Sequence, residues 1–441
     1  MCRSETDTAE KCQAHTIVDL SPSLPHACDT AIVGAGAAGL ATAIFTRRLN
    51  PARAVRLLDG AKKPGAKILV SGGSRCNVTN ASVTDGDFWG GKRSIVRRVL
   101  RAFPVPDTIA FFAELGVRLH EEADGKLFPD SNRARDVLDA LLRAADASGV
   151  DLRAGHRVLD ISRAGQRFRI TTSRGEHDAD AVVLATGGLS LPKTGSDGAG
   201  FEIARRLGHS ITPTTPGLAP LLLSKDDDLH GQLSGVSHDV ELTLWVDGGV
   251  ASRIRGALLW THFGISGPAA LDMSRHWLRA TLEEHDARLT ASFCPGLTFG
   301  DLERRWTSLA AERPKASVQR GLATLVPASA AAALLRRLRI DAATALAHFP
   351  REERRRLVQA LVAWPLPVVG SRGYNYAEVT AGGVPLTEID PATMESRVCP
   401  GLFLVGEILD VDGRIGGFNF QWAWSSARVA ATALARRAHG R

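Results

Sequence analysis

The segment 30–59 constrains the fold more than any other part of the sequence. A short apolar run, Thr30-Ala31-Ile32-Val33, leads directly into Gly34-Ala35-Gly36-Ala37-Ala38-Gly39, and a helical pattern follows. A second apolar strand then ends at Asp59, 20 residues after Gly39. Strand, GxGxxG, helix, strand and acid in this order predict a Rossmann-like βαβ unit that binds a dinucleotide.

Each position of this fingerprint has a physical role. Gly34 permits the tight turn, Gly36 lets the backbone approach a pyrophosphate, and Gly39 allows the helix to pack closely on the strand. The pyrophosphate is expected at the helix N-terminus, where backbone N–H groups are unpaired, and Asp59 can accept hydrogen bonds from a ribose. The predicted cofactor contacts in this unit are Gly34, Gly36, Ala37, Ala38, Gly39 and Asp59.

The next part of the chain favours FAD over NAD as the dinucleotide. A β-hairpin is predicted over 158–171, and a buried strand over 181–184 then ends in Ala185-Thr186-Gly187-Gly188. A βαβ unit, an antiparallel excursion and a strand that ends in this way are typical of FAD domains. The predicted contacts here are Val158, Ala185, Thr186, Gly187 and Gly188.

A second dinucleotide fingerprint is not found. The glycines in 195–200 have the wrong order and no apolar strand before them. A dedicated NAD(P)H domain is therefore not expected. NAD(P)H could still bind transiently over the flavin as an electron donor, or O₂ could be the acceptor.

Glycines and prolines divide the chain into a discontinuous FAD domain with an insert. Residues 1–28 are expected to form a flexible tail, 29–211 the first part of the FAD domain, 212–368 an inserted domain, and 369–441 the second part. The predicted fold class is therefore α/β, a discontinuous Rossmann-like FAD-binding domain with an α+β insert.

Patterns inside the insert and the last segment support this division. The insert begins with strands that turn at Asp247-Gly248-Gly249, and it continues with helices predicted over 330–338, capped by Ser329, over 342–349 and over 351–362. In the last segment, the strand 402–405 precedes Gly406-Glu407, and Gly416-Gly417-Phe418-Asn419 precede a final helix. Gly406, Glu407, Gly416, Gly417, Phe418 and Asn419 are predicted to line the flavin.

Several longer motifs resemble one bacterial family of FAD flavoproteins, which includes aminoacetone oxidase-like and dehydro-bile-acid reductase-like proteins. The stretch Lys67-Ile68-Leu69-Val70-Ser71-Gly72-Gly73-Ser74-Arg75-Cys76-Asn77-Val78-Thr79-Asn80 is similar to its K-x-x-x-S-G-G-G-R-C-N-x-T-N motif. Thr261 to Pro268, Thr380 to Val384, and 406–423 are similar to its other signatures. Ser74 stands where the family usually has Gly, and Asp59 where FAD proteins commonly have Glu. The resemblance spans about 29–435, and it implies oxidoreduction of small or alicyclic molecules.

The first of these motifs supplies further candidates, and we read it as a polar, glycine-rich loop. Contact with the pyrophosphate, ribityl chain or flavin ring is expected from Lys67, Ser71, Gly72, Gly73, Arg75, Cys76 and Asn77. Glu407 could hydrogen-bond the ribityl hydroxyls, or it could form a salt bridge at a strand end. The catalytic residues stay open. Cys76 could be a redox partner, although no resolving cysteine is near, and His262 is a candidate acid or base that could equally be structural.

Composition limits the remaining function classes. The formal net charge is +7 and the pI is about 9.3, but the arginines are dispersed along the sequence, so nucleic acid is not the expected partner. The six cysteines have no CxxC spacing, so no metal site is expected, and they fit a reducing cytoplasm. No apolar run is long enough for a membrane span, and the N-terminus lacks a secretory signal.

The sequence predicts an FAD-dependent oxidoreductase that transfers hydride to or from a small organic substrate. NAD(P)H is a candidate electron donor. One alternative is a flavin amine oxidase that uses O₂, and another is an FAD-bearing protein associated with nucleic acid. The substrate and the oligomeric state are not predicted.

Overall fold

The computed structural model describes residues 27–226 and 229–437. The tail predicted over 1–28 lies outside these residues except for its last two, which belong to the first strand. The first segment contains β1 (Ala27–Val33), α1 (Ala37–Leu49), β2 (Val55–Asp59), α2 (Ala66–Ser74), β3 (Thr79–Asn80), β4 (Phe88–Gly90), α3 (Arg93–Arg101), α4 (Val105–Glu114), β5 (Leu119–Glu121), β6 (Lys126–Pro129), α5 (Ala134–Ala147), β7 (Asp151–Ala154), β8 (Val158–Ala164), β9 (Arg167–Thr172), β10 (Gly175–Leu184), α6 (Ala199–Arg206) and β11 (Thr212–Gly217).

The main sheet has seven strands, six of them in the order β7-β2-β1-β10-β9-β8. Its central strands pair in parallel, whereas β8 and β9 pair antiparallel. Ala31 and Ile32 of β1 are fully buried, as expected for a parallel strand covered on both faces. The predicted α/β class and its Rossmann-like sheet are confirmed.

The middle of the chain builds a second sheet with helices of its own. Its elements are β12 (Leu221–Leu223), α7 (Leu229–Gln232), β13 (Ser237–Val246), β14 (Gly249–Thr261), β15 (Gly264–Ser266), α8 (Pro268–Leu282), β16 (Ala287–Ser292), α9 (Phe299–Glu312), α10 (Val318–Leu322), α11 (Ala328–Leu338), α12 (Arg351–Val362), β17 (Trp364–Leu366) and β18 (Val368–Ser371). The antiparallel order is β17-β16-β13-β14-β15-β12-β18. Residues 221–366 form a hydrophobic core that shares no residue with the core of the main sheet.

The last segment contains β19 (Val379–Gly383), β20 (Leu402–Leu404), β21 (Val411–Gly413) and α13 (Phe418–Arg436), and its strand β20 joins the main sheet. Strand β20 pairs in parallel with β10, and β19 pairs antiparallel with β11. The helices α13 and α1 pack together, and small residues such as Ala41 and Ala430 on their buried faces allow a close approach. The first and last segments therefore share one sheet and one core. The two links to the second sheet follow β11 and β18, and we propose them as the domain boundaries, a few residues after the predicted ones at 211 and 368.

Two predicted elements of the insert are wrong in detail. Residues 342–349 form no α-helix, but only a 3₁₀ turn, Leu346–His348. The side chain of Asp341 accepts hydrogen bonds from Ala343 N at 3.1 Å and from Thr344 Oγ1 at 3.0 Å, so local turn bonds replace helical ones. The helix α11 begins after Pro327 and not after Ser329.

No helix within 27–226 and 229–437 is long and apolar enough to cross a membrane.

Candidate active site

The fingerprint glycines have two different surroundings. A Cβ at Gly34 would lie 2.5 Å from the carbonyl oxygen of Ala185, and a Cβ at Gly39 would lie 1.8 Å from that of Gly34. These two positions need glycine because the backbone around them is already in contact. A Cβ at Gly36 would meet nothing within 4 Å. Gly36 therefore faces open space, at the point where the fingerprint expects a pyrophosphate.

The N-terminus of α1 opens onto the same space. Gly36 is its N-cap, no side chain caps it, and its first turn, which includes Ala37 and Ala38, has no acidic residue. The first N–H groups of a helix have no partner within the helix, and the helix dipole favours an anion beside them. This end of α1 can therefore hold a phosphate group.

Asp59 is held against the fingerprint loop. One carboxylate oxygen accepts a hydrogen bond from Ala35 N at 2.7 Å, and the other accepts one from Ala61 N at 2.7 Å. The acid thus fixes the loop from the end of β2. Each carboxylate oxygen has a second lone pair, so a ribose contact by Asp59 remains a prediction.

The turn after β10 and the turn after β20 lie beside the fingerprint. Ala185, Thr186, Gly187 and Gly188 follow β10 directly, and Val158 is the buried first residue of β8. At Gly188, a Cβ would lie 2.4 Å from the hydroxyl of Thr380, which shows that this turn packs against β19. At Gly406, a Cβ would lie 2.8 Å from that of Ala38, so the turn after β20 packs against α1.

The motif predicted as a loop, 67–77, begins as a helix. The helix α2 holds Lys67 in its first turn and kinks at Ser71, Gly72 and Gly73, which leave the helical conformation. The loop prediction was wrong. Gly72 and Gly73 suggested a loop, but the residues before them form a helix that packs on α5. A Cβ at Gly73 would meet nothing within 4 Å, so this kink is also open to a ligand.

Arg75 points to a different partner from the predicted one. Its guanidinium forms two hydrogen bonds with the carboxylate of Glu122, at 2.6 and 3.2 Å, and lies 4.0 Å from the ring centroid of Phe128. Within the structure, Arg75 therefore ties the end of α2 to the β5–β6 hairpin. Its predicted cofactor contact remains a prediction.

Cys76 and Asn77 lie buried behind the kink. Burial raises the pKa of the Cys76 thiol to about 12, so the group stays protonated and is a poor redox nucleophile. The side-chain oxygen of Asn77 is buried and has no hydrogen-bond partner among the described residues. Since buried polar atoms are nearly always bonded, this orphan fits a polar group of a ligand in the site.

A polar cluster joins the first and last segments of the chain. The ammonium of Lys67 forms a salt bridge with Oε2 of Glu407 and also contacts the hydroxyl of Ser190. The other oxygen of Glu407 accepts from Ser190 Oγ at 2.8 Å and from Thr380 N at 2.9 Å. The structure shows a salt bridge of Glu407, and its contact with the ribityl hydroxyls remains a prediction.

Gly416 and Gly417 are packed against β3. A Cβ at Gly417 would lie 2.4 Å from the carbonyl carbon and oxygen of Thr79. The side chain of Asn419 bonds to Gly413 N at 2.8 Å and Gly413 O at 3.0 Å, while Phe418 packs edge-on against Phe88. The neighbouring backbone thus requires glycine at 417. The flavin contacts of this motif remain a prediction.

Sequence reasoning missed the contact between the insert and the last segment. Arg275 of α8 binds the carboxylate of Asp412 through two nitrogens, one of them at 2.6 Å, and both side chains are buried. Nearby, Asp272 accepts a hydrogen bond from Ile415 N at 2.8 Å, and desolvation raises the pKa of Asp272 to about 6. The signal for α8 was readable, since Pro268 stands at its first turn and Ala269, Ala270, Met273 and Trp277 follow at helical spacing.

Glu378, also missed, lies just before β19. Its side chain is open to solvent, yet desolvation is the largest influence on its carboxyl and raises its pKa. A carboxyl can be both accessible to solvent and desolvated if it lines a deep cleft. The charges that act on it come from Lys67 of the main domain and Asp272 of the insert, so Glu378 lies where the two meet, and we refer to this place as the cleft.

His262 is exposed in the turn between β14 and β15 and touches the ring of Phe263. No described contact links it to the cluster of Lys67 and Glu407. Within the described ranges, no three His, Cys, Asp or Glu side chains are grouped as metal ligands would be.

Comparison with known proteins assigns this arrangement to a family. The model of the HI0933-like protein Rossmann domain matches residues 28–433. The ribosomal RNA dihydrouridine synthase of Escherichia coli (strain K12) is 34% identical over 92% of this chain and 98% of its own length. The 3-dehydro-bile acid delta(4,6)-reductase of Clostridium scindens is 31% identical over 92% of this chain and 98% of its own.

Among solved structures, a 3-ketosteroid-delta4-(5alpha)-dehydrogenase from Rhodococcus jostii is 14% identical, with a TM-score of 0.46, and the match covers 95% of this chain and 99% of that one. The open space at Gly36, the uncapped α1 and the orphan oxygen of Asn77 fit the FAD that the predicted family binds. The family prediction is thereby confirmed: this chain belongs to the HI0933-like Rossmann family of FAD-binding oxidoreductases.

Proposed function

We propose that this protein is an FAD-dependent reductase that saturates the C5=C6 bond of a uracil base in ribosomal RNA. The proposal is supported by the 34% identity with a ribosomal RNA dihydrouridine synthase along 98% of that protein. A dihydrouridine is a uridine with two hydrogens added across a C=C bond that is conjugated with a carbonyl. The name of the bile-acid relative describes reduction at a C=C bond as well.

Bound FAD would supply hydride transfer, and this chain would hold and orient it. Gly36 and the N-terminus of α1 would receive the pyrophosphate, and Asp59 the ribose. The kink at Gly73 and the orphan oxygen of Asn77 would meet other polar groups of the cofactor. NAD(P)H, bound transiently, is the electron donor that we propose.

A basic layer of helices is the observation that favours RNA over a small molecule. The segment 299–356, which contains α9 to α12, has twelve Lys and Arg but six Asp and Glu, an excess of six within a total net charge of +7. These helices pack on one another, and their exposed basic side chains are Arg304, Arg305, Arg313, Lys315, Arg320, Arg336, Arg337, Arg339, Arg351, Arg355 and Arg356. Most of the net charge of the chain thus lies in this one segment, and a phosphate backbone is attracted to such a surface.

A second candidate function is the reduction of a conjugated C=C bond in a small alicyclic ketone. It is favoured by the 31% identity with the bile-acid reductase, again along 98% of that protein. An amine oxidase that uses O₂ is the third candidate. It rests only on the resemblance of the motifs, since neither of these relatives is named an oxidase.

The test uses the purified holoenzyme, reduced with dithionite in the absence of O₂. It is mixed with ribosomal RNA from cells that lack this protein, and nucleosides are then analysed by mass spectrometry. We expect a new dihydrouridine in the RNA and no reaction with a 3-oxo-4,6-diene steroid. Reaction with the steroid but not with the RNA would overturn the RNA assignment in favour of the second function.

A pair of charge variants tests the basic layer. Arg305→Gln, Arg336→Gln and Arg351→Gln together remove three charges from α9, α11 and α12. The control removes three exposed charges from the main domain, with Arg98→Gln, Arg118→Gln and Arg135→Gln. We expect the first set to reduce the salt dependence of RNA binding by about 0.7–0.9 logarithmic units per lost phosphate contact, and the control set to leave it unchanged. Equal effects of the two sets would count against this surface.

A further inference from the structure

We propose that Glu378 is a catalytic residue that donates the proton to the substrate carbon next to the one that receives hydride. This inference rests on the proposed reduction of a carbonyl-conjugated C=C bond. It concerns a residue that none of the sequence motifs contains and that the proposed function has not used.

The backbone of Glu378 is fixed between two parts of the main domain. Its N–H donates to the carbonyl of Leu218 at 3.3 Å, and its carbonyl accepts from the hydroxyl of Ser190 at 3.3 Å. These two bonds fix the position of the Glu378 backbone. Glu378 forms a bend directly before β19, between the buried Ala377 and Val379, and its own side chain is exposed.

Thr380 lies against the polar cluster of Lys67, Ser190 and Glu407. The hydroxyl of Thr380 accepts from Leu189 N at 2.7 Å and Ser190 N at 3.1 Å, and Ser190 in turn bonds to Glu407. Because Ser190 also donates to the carbonyl of Glu378, Glu378 lies beside the turn that follows β10. In parallel α/β sheets, ligands bind at the carboxyl ends of the strands, where this turn lies.

The carboxyl of Glu378 has the properties of a proton donor. It makes no hydrogen bond to any described residue, and solvent reaches it. Desolvation raises its pKa, Lys67 opposes this rise, and Asp272 adds to it. Glu407 also faces the cluster, but its charge is paired with Lys67. A carboxyl in this setting keeps a larger protonated fraction near neutral pH than an exposed one, and Lys67 can stabilise the anion left after donation.

The other titratable groups near the cleft are less suited to this role. Both oxygens of Glu407 already accept hydrogen bonds, and Asp272 accepts one from Ile415 N. Burial lowers the pKa of His276 to about 4, so that ring has no proton to give at neutral pH. Glu378 is the carboxyl that is both open to the cleft and without a bond to any described residue.

The step balances without a further reagent. A nicotinamide donor would supply one hydride, which consists of two electrons and one proton, and bound FAD would make that hydride available to one carbon of the C=C bond. The adjacent carbon takes the proton of the Glu378 carboxyl, and water then returns a proton to the carboxylate. The sum is substrate, NAD(P)H and a proton converted into dihydro product and NAD(P)⁺.

The test compares Glu378→Gln and Glu378→Asp with wild-type holoenzyme and with Glu176→Gln, an exposed glutamate on β10. Each protein is reduced with dithionite, and its reoxidation by ribosomal RNA and, separately, by ferricyanide is followed in a stopped-flow instrument. We expect Glu378→Gln to slow reoxidation by RNA about 10²–10⁴-fold, with FAD content and reoxidation by ferricyanide unchanged. Glu378→Asp should recover part of the rate, and Glu176→Gln should match wild type.

Two further readouts separate catalysis from structure. The wild-type rate should fall as pH rises through the pKa of Glu378, whereas the Gln variant should show no such fall. In ¹³C NMR, the Glu378 carboxyl, assigned by its absence in the Gln variant, should titrate above the ordinary value of 4.5.

A rate within threefold of wild type in Glu378→Gln, or titration at or below 4.5, would overturn the role of Glu378 while the proposed function stood. Failure of wild-type protein to reduce either the RNA or the steroid would instead overturn the proposed function, and this inference with it.

Discussion

The fingerprint loop allows cofactor binding and folding to be separated by two matched substitutions. Gly36 has φ −83° and ψ −166°, a conformation that alanine adopts without strain, and its added Cβ would meet nothing within 4 Å. Alanine is a poorer N-cap than glycine, but it also lowers the entropy of the unfolded chain. These effects, each about 1 kcal/mol or less, oppose one another. Gly36→Ala should therefore leave the stability of the apoprotein within about 1 kcal/mol of wild type.

The same methyl group would occupy the place expected for the pyrophosphate. Loss of one charge-assisted hydrogen bond there costs about 1.5–3 kcal/mol, which corresponds to a roughly 10- to 150-fold weaker affinity for FAD. Gly39→Ala has the opposite profile, because its Cβ would lie 1.8 Å from the Gly34 oxygen. It should lower the free energy of unfolding by about 1–3 kcal/mol or more, with or without FAD.

Urea denaturation of the apoproteins and titration with FAD, followed by flavin fluorescence, measure the two effects separately. The reasoning is refuted if Gly36→Ala binds FAD as tightly as wild type, since the pyrophosphate would then not lie at the N-terminus of α1. It is equally refuted if Gly39→Ala folds with unchanged stability.

Two more predictions concern the contact between the insert and the last segment. Arg275→Met should destabilise the protein by about 3–5 kcal/mol because it leaves the buried Asp412 without its partner. The double variant Arg275→Met, Asp412→Leu should recover most of that loss. A urea midpoint of the single variant close to that of wild type would contradict this prediction. Asp272 has a folded pKa raised from 3.8 to about 6, so its contribution to stability declines as pH rises from about 4 to 6 and stays low above that. The side chain at 272 cannot ionise in Asp272→Asn. The free energy of unfolding of this variant, relative to that of wild type, should therefore increase by up to about 3 kcal/mol from pH 4 to pH 7. A difference that does not depend on pH would show that Asp272 is not desolvated.

The parts of the fold that sequence predicts well are those determined by neighbouring residues. The βαβ unit follows from the glycines and apolar runs between Thr30 and Asp59, and β13 and β14 turn at Asp247-Gly248 as their pattern indicates. Prediction failed where local and tertiary preferences disagree. The alanines after Asp341 suggest a helix, but that aspartate forms turn bonds, and Thr344 O accepts from Val318 N of α10.

The site was harder to predict because its side chains meet from distant parts of the chain. Lys67 and Glu407 are 340 residues apart, and Arg275 and Asp412 are 137 apart, so one sequence contains no spacing that connects them. The need for glycine was predictable where the motif is local, as at Gly39, but the close neighbour of Gly417, a strand formed by Thr79 and Asn80, was not. Arg75 shows the same limit, since its partner Glu122 lies in a different hairpin.

The structure also suggests how one family can act on substrates as different as an RNA and a bile acid. Glu378, Lys67 and Glu407 belong to the main domain, and in the proposed reaction the sheet and the bound cofactor would set the geometry of hydride and proton transfer. Asp272 reaches the same cleft from α8, which belongs to the insert. The insert also contains the basic helices α9 to α12. A base that enters the cleft would leave the rest of its RNA outside, where a positive surface can bind phosphates, whereas a small ketone would gain nothing from that surface. We therefore expect substrate choice to follow the charge of the insert and the chemical step to follow the cleft, so that neutralising the basic helices should weaken RNA binding without changing reoxidation by ferricyanide.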